Sequence, residues 1–454
     1  MLKKIDATQG SMVKAIFSFS IPLILATIAQ NLFTIADKAV LGNMAGSVEV
    51  AAIGATGTVT ELIINGAVGL SSGTTIVLAR FWGQRDEEKI RTTVDTALIT
   101  GVGLGVIVAI AGFLSTPFFL TATDCPAECY EGALLYMRIY ISAAPITLFY
   151  NYGSAILRTT GDTQRPLIYI LAGGVVNVVL NVILCLILPQ KVAAVAIATV
   201  ASKLVSGVLV ARRLCRMEED YVRVSFRKMR FDTSSFFRIF RFGIPTSISN
   251  IMYPLAGLQI VPAINSYGVA AVAGNSAAAS VNSIAMAFSS GFSAATSTFV
   301  GQNIGARKVD RVKKAFWYSL GWNVLVSGSV GVILFLSGRF LIGTIIGHGE
   351  VEAIDYGMSR MAHISLFMFV QAISASIGGA LQAFGYAALR SISNVVFSLG
   401  FRILWMQLVY PRYQSFDTVM LCFTVSWILN MLFYAAVFAV VYYRYVKKGI
   451  CKKI

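Results

Sequence analysis

The chain reads as an all-α integral membrane protein, with twelve transmembrane helices in two pseudo-symmetric six-helix bundles. Three observations predict this. Hydrophobic residues make up 56% of the 454 residues and charged ones 13%, where a soluble domain carries about 25% charge. About a dozen apolar runs approach the roughly 20 residues that a spanning helix needs. One half of the chain also recurs in the other, roughly 223 residues later. Phe19-Ser20-Ile21-Pro22 and Phe242-Gly243-Ile244-Pro245 each open a long apolar stretch, and Gly83-Gln84-Arg85 and Gly305-Ala306-Arg307 each end the next one. Leu157-Arg158-Thr159-Thr160-Gly161 and Leu381-Gln382-Ala383-Phe384-Gly385 enter the fifth and eleventh stretches.

In chain order the expected spans are 13–44, 50–79, 93–121, 132–157, 166–188, 192–211, 235–265, 269–301, 315–342, 354–383, 389–410 and 417–443. They divide into an N-terminal bundle (1–211), a basic linker (212–234) and a C-terminal bundle (235–454). Six spans per half give the halves the same orientation, related by an axis along the membrane normal. Pro22 and Pro245 hold equivalent places in the first helix of each half. Proline there removes a hydrogen bond and permits a bend or hinge. Pro254 and Pro262 interrupt the seventh span further.

The net charge of +16 is a topology signal and does not mark a nucleic-acid binder. Lys and Arg cluster in alternate loops, at Lys3, Lys4 and Lys14, at Arg85 to Arg91, from Arg212 to Arg241, from Arg307 to Lys314, and from Arg444 to Lys453. The intervening loops carry Glu49, Asp124, Glu128, Glu131, Glu350, Glu352 and Asp355. This alternation places both termini in the cytoplasm and attracts anionic lipid. The first run continues into a patterned helix and reads as a retained span rather than a cleaved signal. Cys125 and Cys129 are close enough in sequence to bridge, and free thiols are the simpler reading. A duplicated helical bundle of this kind suits a secondary transporter with its site between the halves.

Ionisable groups at membrane depth cost about 2.5–3.5 kcal/mol and are functional candidates by default. The first span carries Thr27, Gln30, Thr34 and Asp37 on one helical face, and the second Thr58, Glu61, Asn65 and Ser72. The fifth carries Gly173, Asn177, Asn181 and Cys185 at four-residue steps, and the sixth Thr199, Ser202, Lys203 and Ser206. From Gly243 to Gln302 there is no charged residue. The polar groups there are neutral, Gln259 among them, and Arg402 is the main buried charge of the C-terminal half. Coupling to an ion needs a group that changes charge or ligates it. That points to Asp37, with Glu61 second.

At these residues the chain resembles the multidrug and toxic compound extrusion (MATE) transporters, and within them the DinF-like branch. The segments that carry the resemblance are Ile35-Ala36-Asp37-Lys38-Ala39-Val40-Leu41-Gly42, Ala51-Ala52-Ile53-Gly54-Ala55, Ala79-Arg80-Phe81-Trp82-Gly83-Gln84 and Leu157-Arg158-Thr159-Thr160-Gly161-Asp162-Thr163-Gln164-Arg165-Pro166. The resemblance implies a bacterial inner-membrane antiporter that takes in protons or sodium ions and exports small organic cations or drugs. It also implies a coupling site in the N-terminal half formed by Asp37, Asn177, Asn181 and Thr199. Asn181 stands where many relatives have Asp, Lys203 where a neutral polar residue is expected, and Lys38 directly follows Asp37. Pro22, Gln30, Thr34, Asn65, Gln259 and Arg402 are the expected cavity or hinge residues.

The mechanism expected is alternating access by rocking of two bundles, with no cofactor, by a monomer in contact with membrane lipid. The alternative is a flippase for a lipid-linked precursor, for which Lys38, Lys203 and Arg402 are the candidate cations. An enzyme is disfavoured. Only His348 and His363 exist, without metal-ligand spacing, and no phosphate-binding Gly-rich loop is present.

Overall fold

Burying a chain this apolar in a bilayer requires that every backbone group be paired within the chain, which helices achieve segment by segment. The computed structural model describes residues 5–44, 47–122 and 125–448, and every regular element among them is a helix. The first half holds α1 (Met12–Met44), α2 (Ser47–Gln84), α3 (Glu87–Ala122), α4 (Ala127–Ser142), α5 (Ala144–Thr159), α6 (Gln164–Ile187) and α7 (Lys191–Cys215). The second begins with α8 (Thr233–Leu258), α9 (Val261–Asn265), α10 (Val269–Gly305), α11 (Val309–Leu336) and α12 (Gly338–Ile346). It continues with α13 (Val351–Ile364), α14 (Met368–Ala383) and α15 (Ala387–Ser393), a π-helical segment (Asn394–Gly400), α16 (Phe401–Leu408) and α17 (Phe416–Lys448).

Among the described residues ten helices are long and apolar enough to cross a membrane. Two pairs of shorter helices, α4 with α5 and α13 with α14, are each bent by 45° and bring the count to twelve if each pair is one span. The bends fall at repeat-equivalent places, in the fourth span of each half. Pro145 explains the first, because it enters α5 where a helix N-terminus tolerates proline. The second has no proline. There Ser365 turns its hydroxyl to the Asn282 side chain. In the seventh span the chain leaves the helix at Gln259 and Ile260, between Pro254 and Pro262.

The repeat is also written in the backbone. Arg85 and Arg307 take φ of 57° and 55°, and Gly161 and Gly385 take 88° and 93°. Each closes a helix with the same pair of bonds. Arg85 N donates to Trp82 O (3.1 Å) and Asp86 N to Phe81 O (3.2 Å); Arg307 N donates to Ile304 O (3.1 Å) and Lys308 N to Asn303 O (3.0 Å). Gly161 and Gly385 make the same two bonds with their own preceding turns. This is the Schellman closure, which needs a left-handed residue. A side chain there is strained by about 1–2 kcal/mol. Arg85→Gly is therefore expected to raise the thermal unfolding midpoint and Gly161→Ala to lower it, since a Cβ on Gly161 also meets the Ile5 backbone. A midpoint that moved the same way in both would contradict this assignment.

The chain divides into two compact units whose boundaries respect the repeat. One comprises Met1–Ile5 and Leu25–Ser247, the other Asp6–Ile24 and Ile248–Ile454. Each half thus gives the start of its first helix, up to the residue two beyond Pro22 or Pro245, to the unit built mainly from the other half. Small residues make room for these lead-ins, as they do between membrane helices generally. In the first unit, Gly69 of α2 lies against the Thr246 and Ser247 backbone of α8, and Gly73 against Ile239 and Gly243. The Ser247 hydroxyl donates to Gly66 O at 2.9 Å. In the second unit, Gly291 of α10 lies against Ile24 and Ser20 of α1, and Phe19 packs edge-on to Phe299 at 5.3 Å. Arg311 donates to the carbonyls of Ala7, Gln9 and Gly10, and Asn303 to that of Ala7.

Candidate ion-coupling site in the first unit

The polar stripe of α6 is its buried face. Gly173, Asn177, Asn181 and Cys185 are all buried there, with Pro166 and Gly174. Gly173 lets α7 approach, its Cβ position being occupied by Ser202 and Ser206, and the Ser206 hydroxyl donates to Tyr169 O at 2.9 Å. Gly174 does the same for α1, where the Phe33 ring fills the space that a side chain would take. Lys191 holds the far end of α6, donating to Cys185 O (2.6 Å) and Leu188 O (2.9 Å). Cations near the last carbonyls of a helix satisfy its orphan acceptors. Three helices are thus fixed around two asparagines.

Asp37 of α1 meets them. Asn181 Nδ2 donates to Asp37 Oδ1 at 2.5 Å. Asn177 Oδ1 accepts from the same amide at 3.4 Å, and Asn177 Nδ2 reaches Thr199 Oγ1 of α7 at 3.4 Å. The Thr199 hydroxyl donates to Val195 O at 2.9 Å. Asn181 is fully buried and Asn177 3% exposed, yet among the described residues Asn181 Oδ1 has no hydrogen-bond partner. A buried acceptor without a donor is costly, and here it sits beside a carboxylate. A proton on Asp37 or a bound cation would satisfy it.

Lys203 of α7 lies with its ammonium over the Tyr140 ring, 4.9 Å from the centroid, and Tyr140 stacks on Tyr136 at 5.9 Å. Among the described residues no ion pair joins Lys203 to Asp37. An ammonium on an aromatic face is held by the ring's quadrupole. The two tyrosines were not singled out from the sequence, although their four-residue spacing on α4 puts both on one face.

The structure brings Asp37, Asn177, Asn181, Thr199 and Lys203 together. Glu61 is exposed on α2. Asn65 is half-buried on α2, and Gln30 and Thr34 lie on the exposed side of α1, where the Thr34 hydroxyl donates to Gln30 O at 3.0 Å. The side chains of Lys38 and Thr58 lie outside the described residues. Cys125 and Cys129 are free thiols.

The second unit holds Pro22, buried in the α1 lead-in, and Gln259, exposed at the break before α9. Arg402 is fully buried on α16, where its guanidinium lies 4.3 Å from the Phe423 ring centroid and its Nε and Nη2 reach Ser426 Oγ at 3.3 Å. Arg360, missed in the sequence, approaches the same ring at 5.4 Å and donates to Asn275 Oδ1 at 2.7 Å. Its near-counterpart Arg138 on α4 stacks on Phe113 at 4.8 Å. Both arginines sit inside apolar runs and were readable as intramembrane charges. Shifts of 222 to 224 residues, the spread between the Arg85/Arg307 and Gly161/Gly385 pairs, carry Asp37, Asn177 and Asn181 to 259–261, 399–401 and 403–405, where every residue is neutral. The second copy therefore has no counterpart of the cluster.

The family model MatE matches the chain twice, over residues 22–183 and 245–406. The chain is 25% identical over 380 residues to the probable multidrug resistance protein YoeA of Bacillus subtilis, covering 82% of each. It is 24% identical over 386 residues to the probable multidrug resistance protein YpnP of the same organism, covering 85% of each. Its fold matches a crystal structure of a MATE protein in complex with MaL6 at a TM-score of 0.89 and 23% identity, over 97% of this chain and 99% of that one.

Proposed function

The chain belongs to the MatE family of transporters, which are not enzymes, and from that premise we propose that it is a secondary antiporter. It exports amphipathic organic cations in exchange for protons, by alternating access, from the bacterial cytoplasmic membrane with both termini inside. The observation that carries this reading is the Asp37 carboxylate, held by Asn181 in a buried amide cluster that only one of the two repeats possesses. A buried group that changes charge can bias a two-state packing, because its protonation alters which arrangement is favoured.

The proton is favoured over sodium by the charge of Lys203, not by the oxygens of the cluster. The cluster offers one carboxylate, two amide oxygens and a hydroxyl. Lys203 already brings a positive charge towards the same carboxylate, and like charges repel. The neutral residues at the equivalent places of the second copy support a DinF-like arrangement, with coupling confined to the N-terminal half. The flippase alternative is not favoured by the family match, and a monomer contains the whole cluster.

Lys203→Gln is expected to leave the fold intact while changing ion preference. In proteoliposomes, sodium-driven uptake of a cationic dye should be negligible for the wild type and detectable for the variant. Equal insensitivity to sodium in both would remove Lys203 from the selectivity argument.

A further inference from the structure

Between α7 and α8 the chain crosses from one span to the next through a short ordered segment of the first unit. Residues 221–231 carry four cations, Arg223, Arg227, Lys228 and Arg230, and no acid. All four are exposed. Arg223 is paired with Asp220; the other three make no ion pair among the described residues. Phe226 and Phe231 stand among them, 54% and 51% exposed, and Phe237 follows on the first turns of α8 at 65%.

This segment is built rather than loose. Val222 and Val224 are buried, and Val224 N donates to Leu214 O at 3.1 Å. A turn closes from Lys228 N to Ser225 O at 2.8 Å. Arg230 N donates to Asp95 Oδ2 (3.3 Å) and Asp232 N to Thr96 Oγ1 (3.0 Å), which pins the strip across α3. Asp232 then caps α8, and the bonds from Ser235 hold its carboxyl below the usual range. Val222 and Val224 face inward, while Arg223 between them and the cations and rings that follow are exposed.

We propose that residues 221–231 form a docking surface for the anionic phospholipid headgroups of the cytoplasmic leaflet. The cations pair with headgroup phosphates, and Phe226 and Phe231 enter the interfacial layer beside them. Charge complementarity and position both favour lipid. The strip is tethered at Cys215 and Thr233 to two spans, which holds it at the bilayer surface, where juxtamembrane basic clusters bind acidic lipid and aromatic rings settle at headgroup level. The assignment rests on the cytoplasmic placement of this linker in the proposed topology.

The test is native mass spectrometry of the full-length protein from micelles holding equal phosphatidylglycerol and phosphatidylcholine. The wild type should retain phosphatidylglycerol at least tenfold over phosphatidylcholine. The variant with Arg223, Arg227, Lys228 and Arg230 all changed to Gln should lose most of that preference at an unchanged unfolding temperature. Should that variant unfold, Phe226→Ser with Phe231→Ser reads the same surface, and weaker retention of both lipids is expected. Equal retention by variant and wild type, no headgroup preference in the wild type, or a preference for a single-stranded RNA probe over phosphatidylglycerol would each overturn the proposal. Lipid retention does not depend on transport, so a failed antiport assay leaves it readable. Ser225→Cys labelled by an impermeant maleimide only after cell lysis checks the topology separately.

Discussion

Asp37→Asn is expected to abolish ion-driven efflux, lowering it at least about 100-fold to the rate of passive leak, while the protein still folds. The substitution keeps the shape of the side chain, and its amide oxygen can still accept from Asn181 Nδ2, now as a neutral bond in place of the 2.5 Å charge-assisted one. A hydrogen bond to a charged group contributes about 1.5–3 kcal/mol and a neutral one about 1, so the loss of stability is small against the loss of coupling. What disappears is the only group of the cluster that can change charge between carboxyl and carboxylate. The measurement is dye efflux from proteoliposomes under an imposed pH gradient, with Asp37→Glu as the variant expected to keep part of the activity. Full gradient-driven efflux by Asp37→Asn would sink the mechanism. No rescue comes from the other half, because no acid stands at 259–261, the positions equivalent to Asp37.

Gly73→Leu is expected to have the largest effect on folding. A Cβ at Gly73 falls against the carbonyl of Ile239 and the backbone of Gly243, so α2 and the α8 lead-in touch backbone to backbone there. A flexible side chain could move aside, but two helix backbones can separate only by giving up the packing along their length. Overpacking of this kind costs about 1–3 kcal/mol or more. The unfolding midpoint should fall by several degrees, and the fraction of monodisperse protein on gel filtration should fall with it. Gly57 on the same helix supplies the contrast, since nothing lies within 4 Å of its Cβ position. Gly57→Ala removes a helix-weakening residue worth up to about 1 kcal/mol and should leave the midpoint unchanged or higher. Equal loss in both variants would mean that glycine content, rather than close approach, matters in α2.

Much of this molecule is legible in one dimension. The apolar runs, their alternating flanking charge and the 223-residue recurrence of Phe19 to Pro22 at Phe242 to Pro245 are local patterns. A membrane leaves the backbone few alternatives to helices. The α6 stripe was readable for the same reason: a four-residue period on a helix defines a face, and a polar face in an apolar helix is buried against neighbours. The same rule marks Glu61 on α2. Its stripe on α2 is real, but periodicity says which residues share a face and not what that face meets. Arg138 and Arg360 could have been found by the same charge audit that noted Arg402.

Composition and periodicity, then, determined the class of the protein, the span count, the duplication and the confinement of Asp37, Asn177 and Asn181 to one copy. These depend only on the solvent that each residue must enter and on its place along a helix. The tertiary structure alone decided that α1 and α8 surrender their first turns to the opposite unit, that the fourth span of each half breaks by 45° with or without a proline, and that Lys203 rests on Tyr140 rather than pairing with Asp37. Each of those outcomes turns on which surfaces fit at contact distance. Gly73 against Gly243 and Gly174 against Phe33 are fits between residues far apart in the chain, and no local pattern encodes them.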